Sequence, residues 1–236
     1  MSTNAVSRAD EIFAHVKKKI CNLQYRPGEI LLIQQLATEY ESSRTPVKEA
    51  LIRLVSDNYV EMVDGGHFRV AEISEDEVLE IFEIRRSLES MVVEGLARVI
   101  TDEQLAELGA LIERSRQAQN TDDRLTVLQC DTTFHNRLTE LYGNEVNRSV
   151  LEMLNERIQR TRFLTQSSPH LKMIDGEHEK VLEALRSRDG AEAARYMREH
   201  LTNVREDMRV MIETGGTAVF AKAVLFSNIR RTPQNV

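Results

Sequence analysis

The sequence lacks any apolar run long enough to span a bilayer, and its N-terminus has no signal-peptide apolar stretch. A chain with helical membrane spans is therefore excluded, and a cytoplasmic protein with no membrane partner is expected. Cysteine is scarce. Cys21 and Cys130 stand far apart and form no C-x-x-C pair, so a disulfide framework is excluded and reduced, buried thiols are expected. There is no His-Glu-x-x-His motif, the helical signature of many zinc hydrolases, and no internal repeat or low-complexity segment. An excess of positive charge is missing too. The formal net charge is -7, and residues 1–72 hold nine Lys or Arg against ten Asp or Glu. Non-specific attraction to nucleic acid is thus weak, and any DNA binding must rest on local arrangement and base contacts.

What is present is most informative over Leu36–Leu54. The stretch reads as two short helices broken by a polar turn, with Thr45 placed as cap of the second and Pro46 at its first position, where a missing N–H does no harm. Val47, Ala50, Leu51 and Leu54 recur at the spacing of one buried face. Arg44, Thr45 and Lys48 are left outside, two cations beside a helix N-terminus, which suits phosphate contact and entry into a DNA groove. Upstream, Ile12, Val16 and Ile20 form a helical stripe that ends in the turn Tyr25-Arg26-Pro27-Gly28, followed by the apolar run Ile30-Leu31-Leu32. Downstream, Asn58–Val63 and His67–Val70 are β-prone runs around Asp64-Gly65-Gly66, a hairpin signal. The set spells a winged helix-turn-helix. Gln34, from the preceding helix, and His67 and Arg69, near the hairpin tip, are further candidates for DNA contact. Lys17-Lys18-Lys19 reads as a solvated helix face.

From Ser74 onward the pattern is helical alone. Ser74 with Glu77 and Thr101 with Gln104 have the spacing of capping boxes, the first opening a helix through Ile81, Ile84, Leu88, Val92 and Leu96. Further helices are expected over about 122–142, 145–166, 170–187 and 190–213. The expected fold is mainly α: a winged helix-turn-helix domain over 1–72, an all-α six-helix bundle over 73–214, and a tail over 215–236 whose apolar residues could pack on the bundle or on a partner subunit. Asp131 and His135 lie four apart on one helix face, with His178 and His200 on two later helices. One carboxylate and three imidazoles converging in a bundle would bind a divalent transition metal; the alternative is a surface pair or a satisfied core contact.

The head resembles the GntR family of bacterial transcription regulators. The family's Ser-Arg-Thr-Pro-Val-Arg-Glu-Ala-Leu segment stands here as Ser43–Leu51, with Lys48 in place of the second arginine, and Glu41 and Asn58 occupy positions where the family often has glycine. The helical part resembles the FCD domain of the FadR-type subfamily, on Glu83-Ile84-Arg85, Asp131-Thr132-Thr133-Phe134-His135, Gly143-Asn144, Glu177-His178 and His200. The resemblance implies a homodimeric, ligand-responsive repressor that binds double-stranded operator DNA. It implies Asp131, His135, His178 and His200 as metal ligands, for zinc first, with nickel or manganese as alternatives. It implies a small carboxylate effector, met by Arg85 and Asn144; the local reading of Arg85 is an i,i+4 pair with Glu89. His15 and His170 match no ligand position and read as structural or surface. No enzymatic role is expected, although a metal-dependent hydrolase with a DNA-binding head, and a sensor whose effector is the ion itself, stand as alternatives.

Overall fold

The computed structural model describes residues 7–22, 24–72, 74–162 and 169–215. The chain divides into two compact units between Ser74 and Glu75. In the first, α1 (Arg8–Cys21) opens with Ser7 and Asp10 bonding each other's backbone N–H, a capping box that satisfies two otherwise orphan donors. Its buried residues include Ile12, Val16 and Ile20, which pack on Val47, Ala50, Leu51 and Leu54 of α3 (Arg44–Ser56). The short α2 (Ile33–Glu39) adds Leu36 and Ala37 to that core. Lys17 and Lys19 lie over aromatic rings of the same unit, 5.0 Å from the Tyr59 centroid and 5.1 Å from that of Tyr25, so this lysine run covers the head's own surface.

The turn between α2 and α3 holds Glu41 in the left-handed region at φ 46°, and Asn58 after α3 takes φ 60°. Asn tolerates this conformation, whereas Glu pays a steric cost at Cβ. Ser43, not Thr45, is the residue that precedes α3, and its side chain makes no capping bond. Thr45 and Pro46 therefore sit inside the first turn. Proline is tolerated throughout that turn because none of its N–H groups has an intrahelical acceptor. Three antiparallel strands, β1 (Ile30–Leu31), β2 (Val60–Val63) and β3 (His67–Val70), order as β1-β3-β2. The hairpin turns through Gly65 and Gly66, at φ 78° and 73°, where a side chain would be strained.

Six α-helices are described in the second unit: α4 (Glu75–Leu96), α5 (Asp102–Asn120), α6 (Arg124–Tyr142), α7 (Glu145–Arg162), α8 (Ile174–Arg186) and α9 (Gly190–Gly215). Thr101 and Gln104 form the expected capping box, and Asp123 caps α6. The helix expected over 145–166 is described to Arg162. The one expected from 170 begins as a 3-10 turn, Pro169–Lys172, before α8. The buried stripe of α4 runs through Val78, Phe82, Arg85, Glu89, Val92, Val93 and Leu96, while Ile84 is exposed. The purely apolar stripe expected there is displaced because a charged pair occupies its middle. Helix α4 packs chiefly on α9, and a Cβ on Gly190 would lie 2.6 Å from the Glu94 carbonyl oxygen, so only glycine permits the close approach at the start of α9. Cys21 and Cys130 are buried free thiols. Among the described residues no helix is long and apolar enough to cross a membrane. The apolar segments of the expected tail from Ala218 lie outside the described residues.

Candidate functional site

In the head, the buried face of α3 fixes the opposite face outward, so Arg44, Thr45 and Lys48 are exposed. Together with Gln34 and His67 they line a groove of about 820 Å³ between α3 and the hairpin. Arg44 Nε donates to Gln34 Oε1 at 2.6 Å, which orients the guanidinium at the helix N-terminus. Arg69 stands apart from this groove. Its Nη2 lies 2.8 Å from Glu61 Oε2, its cross-strand neighbour in register. An exposed pair of this kind is worth at most about 1 kcal/mol, so a phosphate would have to displace only a weak partner.

In the bundle, α6 presents Asp131 and His135 one turn apart, α8 supplies His178 and α9 supplies His200. One ligand atom from each lies within 4.8 Å of all the others. His135 Nε2 is 3.2 Å from His200 Nε2, His135 Nε2 is 3.5 Å from Asp131 Oδ1, and His178 Nε2 is 3.6 Å from Asp131 Oδ1. Ligands about 2.0–2.1 Å from a tetrahedral zinc are separated by about 3.3 Å, so these spacings match the edges of a coordination polyhedron. All three histidines are buried; Asp131 is nearly so. Phe134 stacks on the His178 ring with centroids 4.2 Å apart and fixes its plane.

The outer partners decide which nitrogens face inward. His135 Nδ1 is bonded to Glu89, whose other oxygen accepts from Arg85 Nε at 2.7 Å. His200 Nδ1 is 2.7 Å from Glu177 Oε2, and Glu177 Oε1 accepts from Asn203 Nδ2 at 2.7 Å. Burial alone would raise the Glu89 carboxyl, but Arg85 and His135 bring it down to about 2. Burial likewise opposes the Glu177 charge, yet its histidine and asparagine partners hold it well below the usual range. Both carboxylates are therefore acceptors, and both Nδ1 atoms donate to them. That turns the two Nε2 atoms toward each other at 3.2 Å, a spacing that is favourable only with a positive centre between them, either a proton on His135 or a shared metal ion. Burial, with His200 and His135 nearby, depresses His178 well below the usual imidazole range, which leaves it neutral. Its buried Nε2 has no hydrogen-bond partner. Burial, countered by Glu177, also lowers His200, whereas Glu89 and Asp131 raise His135 against its burial. Three imidazole nitrogens and one carboxylate oxygen of this kind can hold a divalent transition metal.

A narrow cavity of about 30 Å³ opens beside the cluster, bounded by Arg85, His170 and Asp207 on its polar side and by Leu128, Leu201 and Met208 among its apolar residues. Arg85 lines the cavity and is at the same time paired with Glu89 in a buried contact, the i,i+4 pair expected from its local sequence. His170, expected to be structural or surface, lies here with Nε2 3.3 Å from Glu177 Oε2. Asn144 does not belong to this site. It is exposed and absent from the cavity wall, and its Oδ1 accepts from Asn147 N at 3.0 Å, capping α7. The Gly143-Asn144 pair is a helix break, with Gly143 left-handed at φ 74° at the end of α6. Sequence reasoning missed Glu89 and Glu177 as carboxylates behind the ligands. Their signals were faint: Glu89 lies one turn after Arg85, and Glu177 next to His178 but about 100° around the same helix.

The comparisons with known proteins agree with this anatomy. Residues 8–70 match the family described as bacterial regulatory proteins, gntR family, and residues 80–203 match the FCD domain. The chain is similar to YdhC of Bacillus subtilis, named an uncharacterized HTH-type transcriptional regulator, with 26% identity over 207 residues, covering 87% of this chain and 92% of the relative. It is also similar to the HTH-type transcriptional repressor RspR of Escherichia coli, with 26% identity over 201 residues, covering 84% and 88%. The solved structure of Escherichia coli McbR/YncC superposes with a TM-score of 0.70 at 25% identity, over 89% of this chain and 99% of that one. These relatives are named as regulators rather than enzymes. With a winged head and an FCD domain both matched in order, the chain belongs to the GntR family and is a DNA-binding transcription regulator.

Proposed function

We propose that this regulator is a cytoplasmic, ligand-responsive repressor, acting as a homodimer on a two-fold symmetric operator. Its domains are 1–72 for DNA and 73–214 for effector and dimer contacts. Arg44, Thr45, Lys48, Gln34 and His67 contact the operator, and Asp131, His135, His178 and His200 hold a divalent metal. The observation that carries the second half is the pair of Nε2 atoms 3.2 Å apart with both Nδ1 atoms committed to carboxylates. Three nitrogens and one oxygen suit zinc, and nickel or manganese with added waters. Such an ion supplies a Lewis-acidic centre for an organic acid's carboxylate, while Arg85 orients it from α4. Residues 71–74 alone join β3 to α4, which leaves little chain to absorb a shift of α4. The repressor sense rests on likeness to RspR.

The cavity of about 30 Å³ has space for one or two waters rather than a dicarboxylate. It supports a second reading, in which the ion itself is the effector. One experiment separates them: protein purified without chelator is analysed for metal, then titrated onto labelled operator with metal alone and with metal plus candidate acids. Under the first reading an acid changes operator affinity only in metal-loaded protein, by a coupling of about 1–3 kcal/mol. An effect of metal alone, unaltered by any acid, supports the second. Absence of stoichiometric metal, with unchanged DNA binding on its addition, refutes both.

A further inference from the structure

A second concave site lies on the bundle, between α4 and α9, and is distinct from the cavity beside the histidines. It measures about 530 Å³ and is bounded by Arg86, Ser90, Met91 and Glu94 of α4 and by Arg198 and Asn203 among the residues of α9. That volume is within the usual range of small-molecule sites, roughly 300–1,000 Å³. Its charges are open to a ligand. Many described arginines of the bundle, Arg85, Arg137 and Arg209 among them, have carboxylate partners, whereas Arg86 and Arg198, which share this crevice, form no ion pair with the described residues. Of the two acidic residues that share the crevice, Glu199 is engaged by Arg195 at 3.4 Å. Glu94 remains, so two guanidiniums face one uncommitted carboxylate.

We infer that this crevice binds a small anion with two acidic groups, one on Arg86 and one on Arg198. Guanidinium presents paired N–H donors in a planar fork that fits carboxylate and phosphate alike. Glu94, an exposed residue of the same crevice, repels an anion beside it and so favours one whose acidic ends reach the two arginines. The position has a consequence for the first site. Asn203, in the crevice wall, donates to Glu177, and Glu177 accepts from His200. An anion that draws on Asn203 therefore changes the support of one imidazole of the histidine cluster without touching it. The binding site itself does not depend on a metal being held there.

The test uses the full-length protein and two probes, succinate and inorganic pyrophosphate, followed by isothermal titration calorimetry at low salt. Saturable binding of either probe to wild type is expected, weakened at least tenfold in R86A/R198A and less so in R86K/R198K, which keeps the charge and loses the fork. The same binding is expected in His178→Ala, which separates this site from the histidine cluster. Preference for succinate or for pyrophosphate identifies a dicarboxylate or a phosphorylated ligand. Equal binding in wild type and R86A/R198A overturns the inference. So does loss of binding in His178→Ala, which assigns the anion to the histidine cluster. A change of oligomeric mass in R86A/R198A by light scattering, without a change in anion affinity, would instead make the crevice an interface between copies.

Discussion

Glu89→Gln is the most exposing perturbation of the bundle. The glutamine keeps the shape of the side chain but leaves the Arg85 guanidinium buried beside a neutral amide and takes the anionic acceptor from His135 Nδ1. Removing one partner of a buried charge pair costs about 3–5 kcal/mol, because the remaining charge stays desolvated. A second route gives a similar size. Despite the opposing effect of burial, Arg85 and His135 hold the Glu89 carboxyl at about 2 against an ordinary 4.5, and a gap of about 2.5 corresponds to about 3 kcal/mol. The sign follows: a depressed carboxylate stabilises the fold fully above pH 4.5 and loses that contribution as pH falls toward 2. In a helical unit of this size, the variant should melt roughly 6–20 °C lower at pH 7, and its stability should fall less steeply with acid over that window. The assay is thermal and urea unfolding followed by far-UV circular dichroism, in chelator so that metal loss is not counted. Replacing both partners, in R85M/E89L, should restore part of the loss, since apolar pairs of similar volume are often neutral or better, while the buried His135 Nδ1 donor left without Glu89 retains a cost of about 1–3 kcal/mol. A cost below about 1 kcal/mol for Glu89→Gln would refute the buried-pair account.

Chelation of metal-loaded protein should lower the melting temperature of the bundle, because an ion held by α6, α8 and α9 stabilises the folded state by about 2.7 kcal/mol at one hundred times its dissociation constant. His178→Ala should abolish that response, and a variant that retained stoichiometric metal would exclude the ligand set. Arg44→Ala should weaken specific operator binding by about 1–3 kcal/mol at matched salt with helicity unchanged; equal gel-shift affinity would remove α3 from recognition. Glu41→Gly should stabilise the head by about 1 kcal/mol in urea unfolding, since glycine carries no Cβ penalty at φ 46°.

Much of this anatomy was legible in the residues because it is local. Ile12, Val16 and Ile20, or Val47, Ala50, Leu51 and Leu54, lie one turn apart, so each helix announces its own buried face. The Asp64-Gly65-Gly66 turn does the same for the hairpin, and Asp131 with His135 for half of the candidate metal centre. Misreadings arose where a distant partner overrides the local pattern. Ile84 has the hydrophobicity of a core residue and yet is exposed, because Arg85 and Glu89 take the interior in its place and satisfy each other and His135 there. Periodicity cannot register a buried ion pair. Glu89 and Glu177 act through histidines 46 and 23 residues away, separations that no spacing rule connects. Arg69 and Asn144 show the opposite case, each being held by a neighbour close in the sequence: Glu61 across the hairpin and the first turn of α7.

The neutralisation of Arg85 has a consequence for cellular logic. Beside the histidines, Arg85 is matched by Glu89, and His170 faces Glu177. An organic acid arriving at the bare protein would meet cations already engaged by carboxylates, and the proposed ion would supply the fresh positive charge able to receive it. The regulator would then work as a two-key lock. Metal supply and metabolite would have to coincide before a gene responded, and a cell starved of the ion would be deaf to the metabolite at any concentration.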